Sequence, residues 1–360
     1  MQKEIFEQPQ AIRDTLESRI TNDSVLISSF GYKAKELFHK AKQVQIVACG
    51  TSYNAGLVAK YWLEDIAKIP CNVEIASEYR YRRPILLDNT LFVTLSQSGE
   101  TADTVEALKA AKKINNNIKT LCITNSAESS LTRISDLTFL THAGPEIGVA
   151  STKAFTTQLV SLAILTCSIG KLKNTVNQKQ EKEIVDGLKR LPGLINEALL
   201  QKGQIKRLAI RFKETDSALF LGRGTMHAIA MEGALKLKEI SYIHAEAYPA
   251  GELKHGPIAL IDKNMPVIAI APNDELLGKL KSNLQEVKSR GSQMIVFEDE
   301  NSKIASMDSM EVIPITSNLG RITAPIIFTI PLQLLSYYVA LIKGTDIDKP
   351  RNLAKSVTVE

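Results

Sequence analysis

Residues 96–101 read Ser96-Gln97-Ser98-Gly99-Glu100-Thr101, a short turn that is rich in hydroxyl groups and contains one glycine. The turn follows a hydrophobic run at 90–95, which predicts a buried strand, and precedes a helical pattern at 102–108. This order places free backbone N–H groups at the start of a helix, where the helix dipole favours negative charge. Gly99 would let the backbone approach a ligand closely. The turn therefore has the layout of an anion site.

The side chains of the turn limit the kind of anion. It has several neutral donors and neither Lys nor Arg, which suits a small phosphate ester better than a triphosphate. The alternative is an ordinary helix start, capped by the hydroxyl of Ser98 or Thr101. From the turn alone, both interpretations stay open.

Strand and helix patterns alternate around the turn. Predicted strands lie at 44–49, 71–76, 91–95, 120–124 and 137–140, with helices between most of them. A long apolar helix is predicted at 155–169. This alternation indicates a parallel sheet covered on both faces, and ligands of such sheets bind at the carboxyl ends of the strands.

The pattern then repeats. Positions 46, 91, 137 and 155 recur at 218, 266, 312 and 328, a shift of 172 to 175 residues. The near-constant shift favours a duplicated domain over a chance match. We therefore predict two doubly wound, flavodoxin-like α/β domains. The predicted division is a helical lead-in at 1–42, a first domain at 43–195, a second at 205–345 and a docked tail at 346–360.

The second copy lacks the hydroxyl-rich turn. Pro272-Asn273-Asp274-Glu275 stands in its place, and two carboxylates there would repel a phosphate. We therefore expect the first domain to bind the phosphate and the second to contribute other chemistry.

Composition narrows the class of protein. The 360 residues are 44% apolar, and 44 basic and 39 acidic residues give a net charge of +5. The densest basic cluster, 80–83, is too short to imply nucleic acid. Four cysteines without a C-x-x-C pair, and a polar start without a signal peptide, predict a cytoplasmic protein with reduced thiols. The apolar stretch at 324–342 contains two prolines and is interpreted as a buried helix, not a membrane span.

Proton-transfer chemistry is predicted in the second domain. Glu232, Lys236 and Glu239 are spaced by four and three residues, which puts them on one face of a predicted helix. A partly buried Glu beside a Lys can be tuned for proton transfer. The alternative is a solvated face with an ion-paired lysine.

Two further candidates lie toward the C-terminus. His255 stands in a predicted loop between Gly251 and Gly256, and such loops often carry function, although a surface histidine without a role is the alternative. The tail at 351–360 is too apolar for a loose terminus, so we expect it to dock and to place Lys355 at a specific position. The ordinary expectation for a terminus is fraying.

Taken together, these motifs resemble the isomerase half of the glutamine–fructose-6-phosphate aminotransferase (glucosamine-6-phosphate synthase) family, which consists of two sugar-isomerase (SIS) domains. The resemblance runs from end to end. It rests on the turn at 96–101 and on further motifs at 49–52, 146–153, 236–239, 252–257 and 351–360.

The resemblance implies a role for each matching residue. Glu239 would be the base that moves a proton between C1 and C2 of the sugar, and His255 would assist ring opening from the neighbouring subunit of a homodimer. Lys355 would contact the open-chain sugar, with an imine at C2 as one option, and Lys236 would lie close by. The residues implied in binding the sugar or its 6-phosphate are Thr51, Ser52, Ser96, Gln97, Ser98, Thr101, Val149 and Ser151.

The implied reaction converts fructose 6-phosphate and ammonia to glucosamine 6-phosphate, with no metal and no organic cofactor, and without nucleic-acid or membrane partners. In the family, ammonia comes from a glutaminase domain with an N-terminal cysteine. No cysteine precedes Cys49, so the chain is interpreted as a fragment that lacks this domain and cannot use glutamine. A simple phosphosugar isomerase and a non-catalytic phosphosugar sensor remain the alternatives.

Overall fold

The structure is a computed structural model that describes residues 1–358. The chain forms two compact units. The first-sheet unit comprises Gln10–Glu146, Lys153–Arg190 and the chain from Ala354 onward, and the second-sheet unit comprises Met1–Pro9, Ile147–Thr152 and Leu191–Leu353. The predicted bounds at 1–42, 43–195, 205–345 and 346–360 differ from this division. The tail at 359–360 lies outside the described residues.

The first-sheet unit contains a five-stranded parallel sheet in the order β2-β1-β3-β4-β5. Its three central strands are almost continuously buried, as expected for a sheet covered on both faces, whereas its two edge strands are only partly buried. The strands are β1 (Gln43–Ala48), β2 (Cys71–Ile75), β3 (Thr90–Ser96), β4 (Lys119–Thr124) and β5 (Leu137–Leu140).

Helices precede, separate and follow these strands along the chain, in the order that the sequence predicts. The helices up to residue 200 are α1 (Gln2–Leu16), α2 (Ala34–Lys40), α3 (Gly50–Asp65), α4 (Ala76–Tyr79), α5 (Ala102–Ile114), α6 (Ser130–Ile134), α7 (Lys153–Leu172) and α8 (Gln178–Leu200). Side chains that alternate along the strands pack on opposite faces. Val47 and Phe92 join the core cluster that contains Leu108 of α5, whereas Ile46 and Leu95 lie against Gly56 of α3.

The second-sheet unit repeats this topology with the order β7-β6-β8-β9-β10, again parallel throughout. The strands are β6 (Ser217–Gly222), β7 (His244–Pro249), β8 (Val267–Ala271), β9 (Met294–Asp299) and β10 (Met310–Thr316), and the helices are α9 (Lys202–Ala209), α10 (Thr225–Ser241), α11 (Leu277–Lys288) and α12 (Thr323–Lys343). Two sheets with one strand order confirm the predicted duplication and the doubly wound α/β class.

Three sequence-based expectations about elements were wrong or incomplete. The lead-in at 1–42 is not one helical run, because α1 ends at Leu16 and a 3₁₀ turn, Ile27–Phe30, precedes α2. For the connection between the domains the sequence predicts a helix at 181–190 that ends at Pro192, but α8 continues to Leu200, since its buried face persists across the proline and outweighs one lost hydrogen bond. Strands β7 and β9 were not predicted, because polar residues interrupt β7 and the apolar run of β9 is only four residues long before Glu298 and Asp299.

Two helices, α7 and α12, are long and apolar enough to cross a membrane by length and composition alone. In each, 89% of the most apolar window is buried within the protein. The helix predicted at 324–342 is thus a buried core helix, which begins two residues before Pro325.

We expect three of the four cysteines to resist alkylation in the folded protein. All four are free thiols, and burial raises the pKa of Cys71, Cys122 and Cys167 to about 12. At pH 8 these groups should hold about a thousandfold less thiolate than the unfolded chain does. Mass spectrometry after iodoacetamide treatment should find label at the half-buried Cys49 first and at the others after denaturation. Rapid native labelling of Cys122 would contradict this burial.

Candidate active site

The switch in strand order in the first-sheet unit lies between β1 and β3. The chain leaves β1 into α3 on one face of the sheet and leaves β3 into α5 on the other face. The turns at 49–52 and 96–101 therefore lie side by side at the carboxyl edge. In open α/β sheets this crevice is where ligands bind.

Hydrogen bonds between its own groups shape the turn at 96–101. The Ser96 hydroxyl accepts the Gly99 N–H at 3.0 Å and lies 2.9 Å from the Thr101 hydroxyl. The Ser98 hydroxyl accepts the Glu100 N–H at 3.1 Å. Thr101 stands at the N-cap of α5 but makes no side-chain cap bond. Helix capping by Thr101 therefore does not explain this turn.

Glu100 is the acidic residue in this turn, and its carboxylate is engaged by α6. It accepts the Ser130 N–H at 2.8 Å and the Ser130 hydroxyl at 2.7 Å. These two hydrogen bonds lower the pKa of Glu100. They also tie the turn after β3 to the start of α6, a connection that sequence reasoning did not predict.

Gly99 fits where a larger residue would not, so we expect Gly99→Ala to disrupt the turn. Its φ is +70°, and an added Cβ would lie 2.1 Å from the Ser129 hydroxyl. Left-handed strain and overpacking together should lower the free energy of unfolding by about 2–4 kcal/mol. Chemical denaturation measures this. Gly291→Ala is the control, because Gly291 has a φ of +81° but open space around it. Equal losses in both variants would show that the Ser129 contact does not matter.

The first turn of α3 carries Thr51 and Ser52, both half-buried. Gln158 of α7, 1% exposed, donates a hydrogen bond from Nε2 to the Ser52 hydroxyl at 3.0 Å. Gln158 was not among the candidate site residues predicted from the sequence. A polar amide within the long apolar pattern of α7 could have indicated it, because a buried amide needs a hydrogen-bond partner.

The tail forms specific contacts within the first-sheet unit. The Lys355 Nζ lies 2.5 Å from Glu146 Oε2, and the Glu146 side chain is fully buried. The other Glu146 oxygen accepts the Ala154 N–H at 3.1 Å, at the start of α7. The Val357 carbonyl accepts the Ala102 N–H at 3.0 Å, at the start of α5. The structure thus places the tail beside the helix that follows the hydroxyl-rich turn.

The second-sheet unit holds the acid–base cluster on α10. Lys236, 1% exposed, lies 2.6 Å from Glu239 Oε2 and 3.4 Å from Glu232 Oε1. Glu239 Oε2 is buried and accepts no hydrogen bond of regular geometry, so the nearby ammonium is what balances its charge. The Glu239 side chain is 21% exposed, whereas Glu232 is buried. The predicted shared face is therefore a buried ion-pair cluster and not a solvated one.

The remaining predicted residues of this unit occupy two segments. His255 is exposed at the end of a 3₁₀ segment, Ala250–His255, beside Gly256, whose φ is +137°. Val149 and Ser151 are half-buried in the segment Ile147–Thr152. Among residues 1–358, no group of three or more His, Cys, Asp and Glu side chains is arranged to hold a metal ion.

In the second-sheet unit, a different turn occupies the position that corresponds to the hydroxyl-rich turn. The chain leaves β8 through Pro272 and reaches Asp274, whose carboxylate accepts the Leu276 N–H at 2.9 Å. Burial raises the pKa of Asp274. This turn satisfies its backbone with its own carboxylate, which distinguishes it from the turn at 96–101.

Comparison with known proteins gives consistent matches. The SIS domain family matches at residues 37–168 and again at 211–343. The chain is 58% identical, over all 360 residues, to the glutamine--fructose-6-phosphate aminotransferases [isomerizing] of Pseudomonas putida and Pseudomonas aeruginosa. It spans 59% of the length of each of these relatives.

Comparison with solved structures leads to the same family as the sequence matches. The C-terminal domain of glucosamine-fructose-6-phosphate aminotransferase from Francisella tularensis superposes with a TM-score of 0.94 at 54% identity, covering 97% of both chains. A glucosamine-6-phosphate deaminase from Thermotoga maritima gives a TM-score of 0.75 at 26% identity over 99% of this chain and 98% of that one. The chain therefore belongs to the SIS domain family, and within it to the C-terminal isomerase domains of the glutamine–fructose-6-phosphate aminotransferases.

Proposed function

We propose that this chain converts fructose 6-phosphate and ammonia to glucosamine 6-phosphate and water. The observation that carries the proposal is the partly exposed Glu239 carboxylate beside the buried Lys236 ammonium, on the helix that follows the first strand of the second sheet. A carboxylate in this setting can act as a base while one of its oxygens stays oriented.

The proposal assigns the sugar phosphate to the turn at 96–101. The hydroxyls of the turn supply neutral donors at the carboxyl edge of the sheet, and the dipole of α5 favours an anion there. Thr51 and Ser52, across the switch point, extend this set of donors, and Val149 and Ser151 are proposed to contact the sugar. Binding energy from the phosphate would hold the reacting carbons in place.

The chemical steps follow from the assigned residues. His255 assists ring opening, and ammonia then adds to C2 with loss of water, directly or by displacing a Lys355 imine. Glu239 removes a proton from C1 and returns it to C2, so that the C2 imine becomes the amine and C1 becomes the aldehyde. The balance is one ammonia taken up and one water released, and no redox step occurs.

Partners and location complete the proposal. The relatives are longer than this chain, and a glutaminase part is proposed to supply the ammonia. A homodimer is proposed, because His255 is exposed on a segment followed by Pro257–Leu260, in which no residue is buried. The protein is proposed to act in the cytoplasm.

The test supplies fructose 6-phosphate with ammonium chloride in D₂O and follows the products by NMR. Formation of glucosamine 6-phosphate is expected, and Ser98→Ala should mainly weaken substrate binding. Deuterium incorporation and aldose formation without amination would indicate a simple phosphosugar isomerase. Binding without any deuterium incorporation would indicate a phosphosugar sensor.

A further inference from the structure

The segment Ile147–Thr152 carries Val149 and Ser151, and hydrogen bonds within the second-sheet unit immobilise its backbone. Three consecutive N–H groups are bound: those of Ile147 and Gly148 by the Glu4 carboxylate and that of Val149 by the Asp348 carbonyl. An irregular segment held in this way has little freedom to reorient its side chains.

Glu4 makes the shortest of these contacts. Its Oε1 accepts the Ile147 N–H at 2.6 Å and the Gly148 N–H at 3.0 Å, and the residue is 5% exposed. A Cβ on Gly148 would lie 2.9 Å from Glu4 Oε2, so a glycine at this position permits the close approach. Burial opposes ionisation of Glu4, but hydrogen bonds from the Gly148 and Ile147 N–H groups, together with the Met1 ammonium 3.1 Å from Oε2, outweigh it, and the pKa of Glu4 is lowered.

The other end of the segment is held from the same face of α1. Gln8, one helical turn after Glu4 and fully buried, donates a hydrogen bond from Nε2 to Gln333 Oε1 at 2.9 Å. Gln333 in turn donates to the Thr152 carbonyl at 3.3 Å. One helix face therefore reaches both ends of the segment, directly through Glu4 and through Gln333 from Gln8.

We infer that Glu4 and Gln8 of α1 are positioning residues, which hold the segment Ile147–Thr152 so that Val149 and Ser151 present a fixed surface to the sugar. This inference rests on the proposed function for the identity of the ligand. The hydrogen bonds that hold the segment do not depend on that function. Ile5 and Ile12, both 0% exposed, already supply apolar packing for α1. A buried carboxylate is expensive for packing alone and useful for binding two backbone N–H groups.

The test compares Glu4→Ala with Glu4→Gln and with Glu7→Ala, a change of the same residue type on the same helix. Calorimetry measures the Kd for glucosamine 6-phosphate, and hydrogen–deuterium exchange measures the amides of residues 147 and 148. Glu4→Ala should weaken binding about tenfold and accelerate exchange, because two N–H groups lose their acceptor. Glu4→Gln should stay within about threefold of wild type, because its amide oxygen still accepts. Glu7→Ala should change neither quantity.

A double-mutant cycle with Ser151→Ala distinguishes positioning from general destabilisation. If Glu4 acts through the segment, the two losses combine to less than their product. Wild-type affinity in Glu4→Ala, or strictly multiplicative losses, would overturn the inference. If Glu4→Ala does not fold, Gly148→Ala disturbs the same contact from the other side and replaces it in the cycle. If wild type does not bind the sugar, the proposed function is wrong, and amide exchange alone decides the positioning role.

Discussion

Replacing Glu239 with glutamine is expected to slow deuterium exchange at C1 of fructose 6-phosphate by roughly 1,000-fold, a loss typical of removing a positioned general base. The amide keeps the shape of the side chain but cannot accept the C1 proton. Sugar-phosphate affinity should change little, since the phosphate is assigned to the turn at 96–101. Lys236 would remain buried beside Glu232 at 3.4 Å, so its charge stays compensated.

The measurement is NMR-detected solvent exchange together with calorimetric binding of glucosamine 6-phosphate. Glu246→Gln is the matched control, because Glu246 lies on β7 in the same unit and pairs with the Tyr248 hydroxyl at 2.6 Å. Its exchange rate should equal that of wild type. Retained exchange in Glu239→Gln would remove Glu239 from the mechanism, and lost binding would show that its role is structural.

The second large effect is expected at Lys355. Replacing it with methionine should lower the synthesis of glucosamine 6-phosphate by about 100-fold or more, because methionine has no amine to orient the open-chain sugar or to form an imine. This variant also removes the ammonium that lies 2.5 Å from the fully buried Glu146 carboxylate, which should destabilise the protein.

Lys355→Arg separates these two roles. Arginine keeps the positive charge beside Glu146, but it stays protonated and cannot form an imine. If the amine reacts with the sugar, Lys355→Arg is stable and still fails in synthesis. Normal synthesis by this variant would limit Lys355 to the ion pair. Deleting the last ten residues should abolish synthesis, whereas a simple phosphosugar isomerase would tolerate the deletion.

Several features of the fold are local and were therefore predictable. The strands β1, β3 and β4 are nearly continuous buried runs, and their alternation with helices indicates a parallel sheet. The turn at 96–101 is defined by neighbouring groups, such as the Ser96 hydroxyl and the Gly99 N–H three residues later. The grouping of Glu232, Lys236 and Glu239 follows directly from helical spacing.

Other features depend on residues far apart in the chain. Lys355 and Glu146 are 209 positions apart, Gln158 and Ser52 are 106, and Glu4 and Ile147 are 143. No periodicity links such pairs, because the partners meet only when each unit folds. The same holds for α8, in which packing of a continuous buried face overrides the local tendency of Pro192 to end the helix.

The patterns along the chain were thus sufficient to predict two α/β sheets of the same topology, the hydroxyl-rich turn and the helix that carries Glu232, Lys236 and Glu239. Hydrophobic runs, turn residues and helical spacing are local signals that can be read without knowledge of distant contacts. The neutralisation of Glu239 by a buried ammonium, the anchoring of Lys355 and the clamping of Ile147–Thr152 came from the folded molecule. Burial and charge compensation are properties of three-dimensional surroundings, and distant segments supply most of those surroundings.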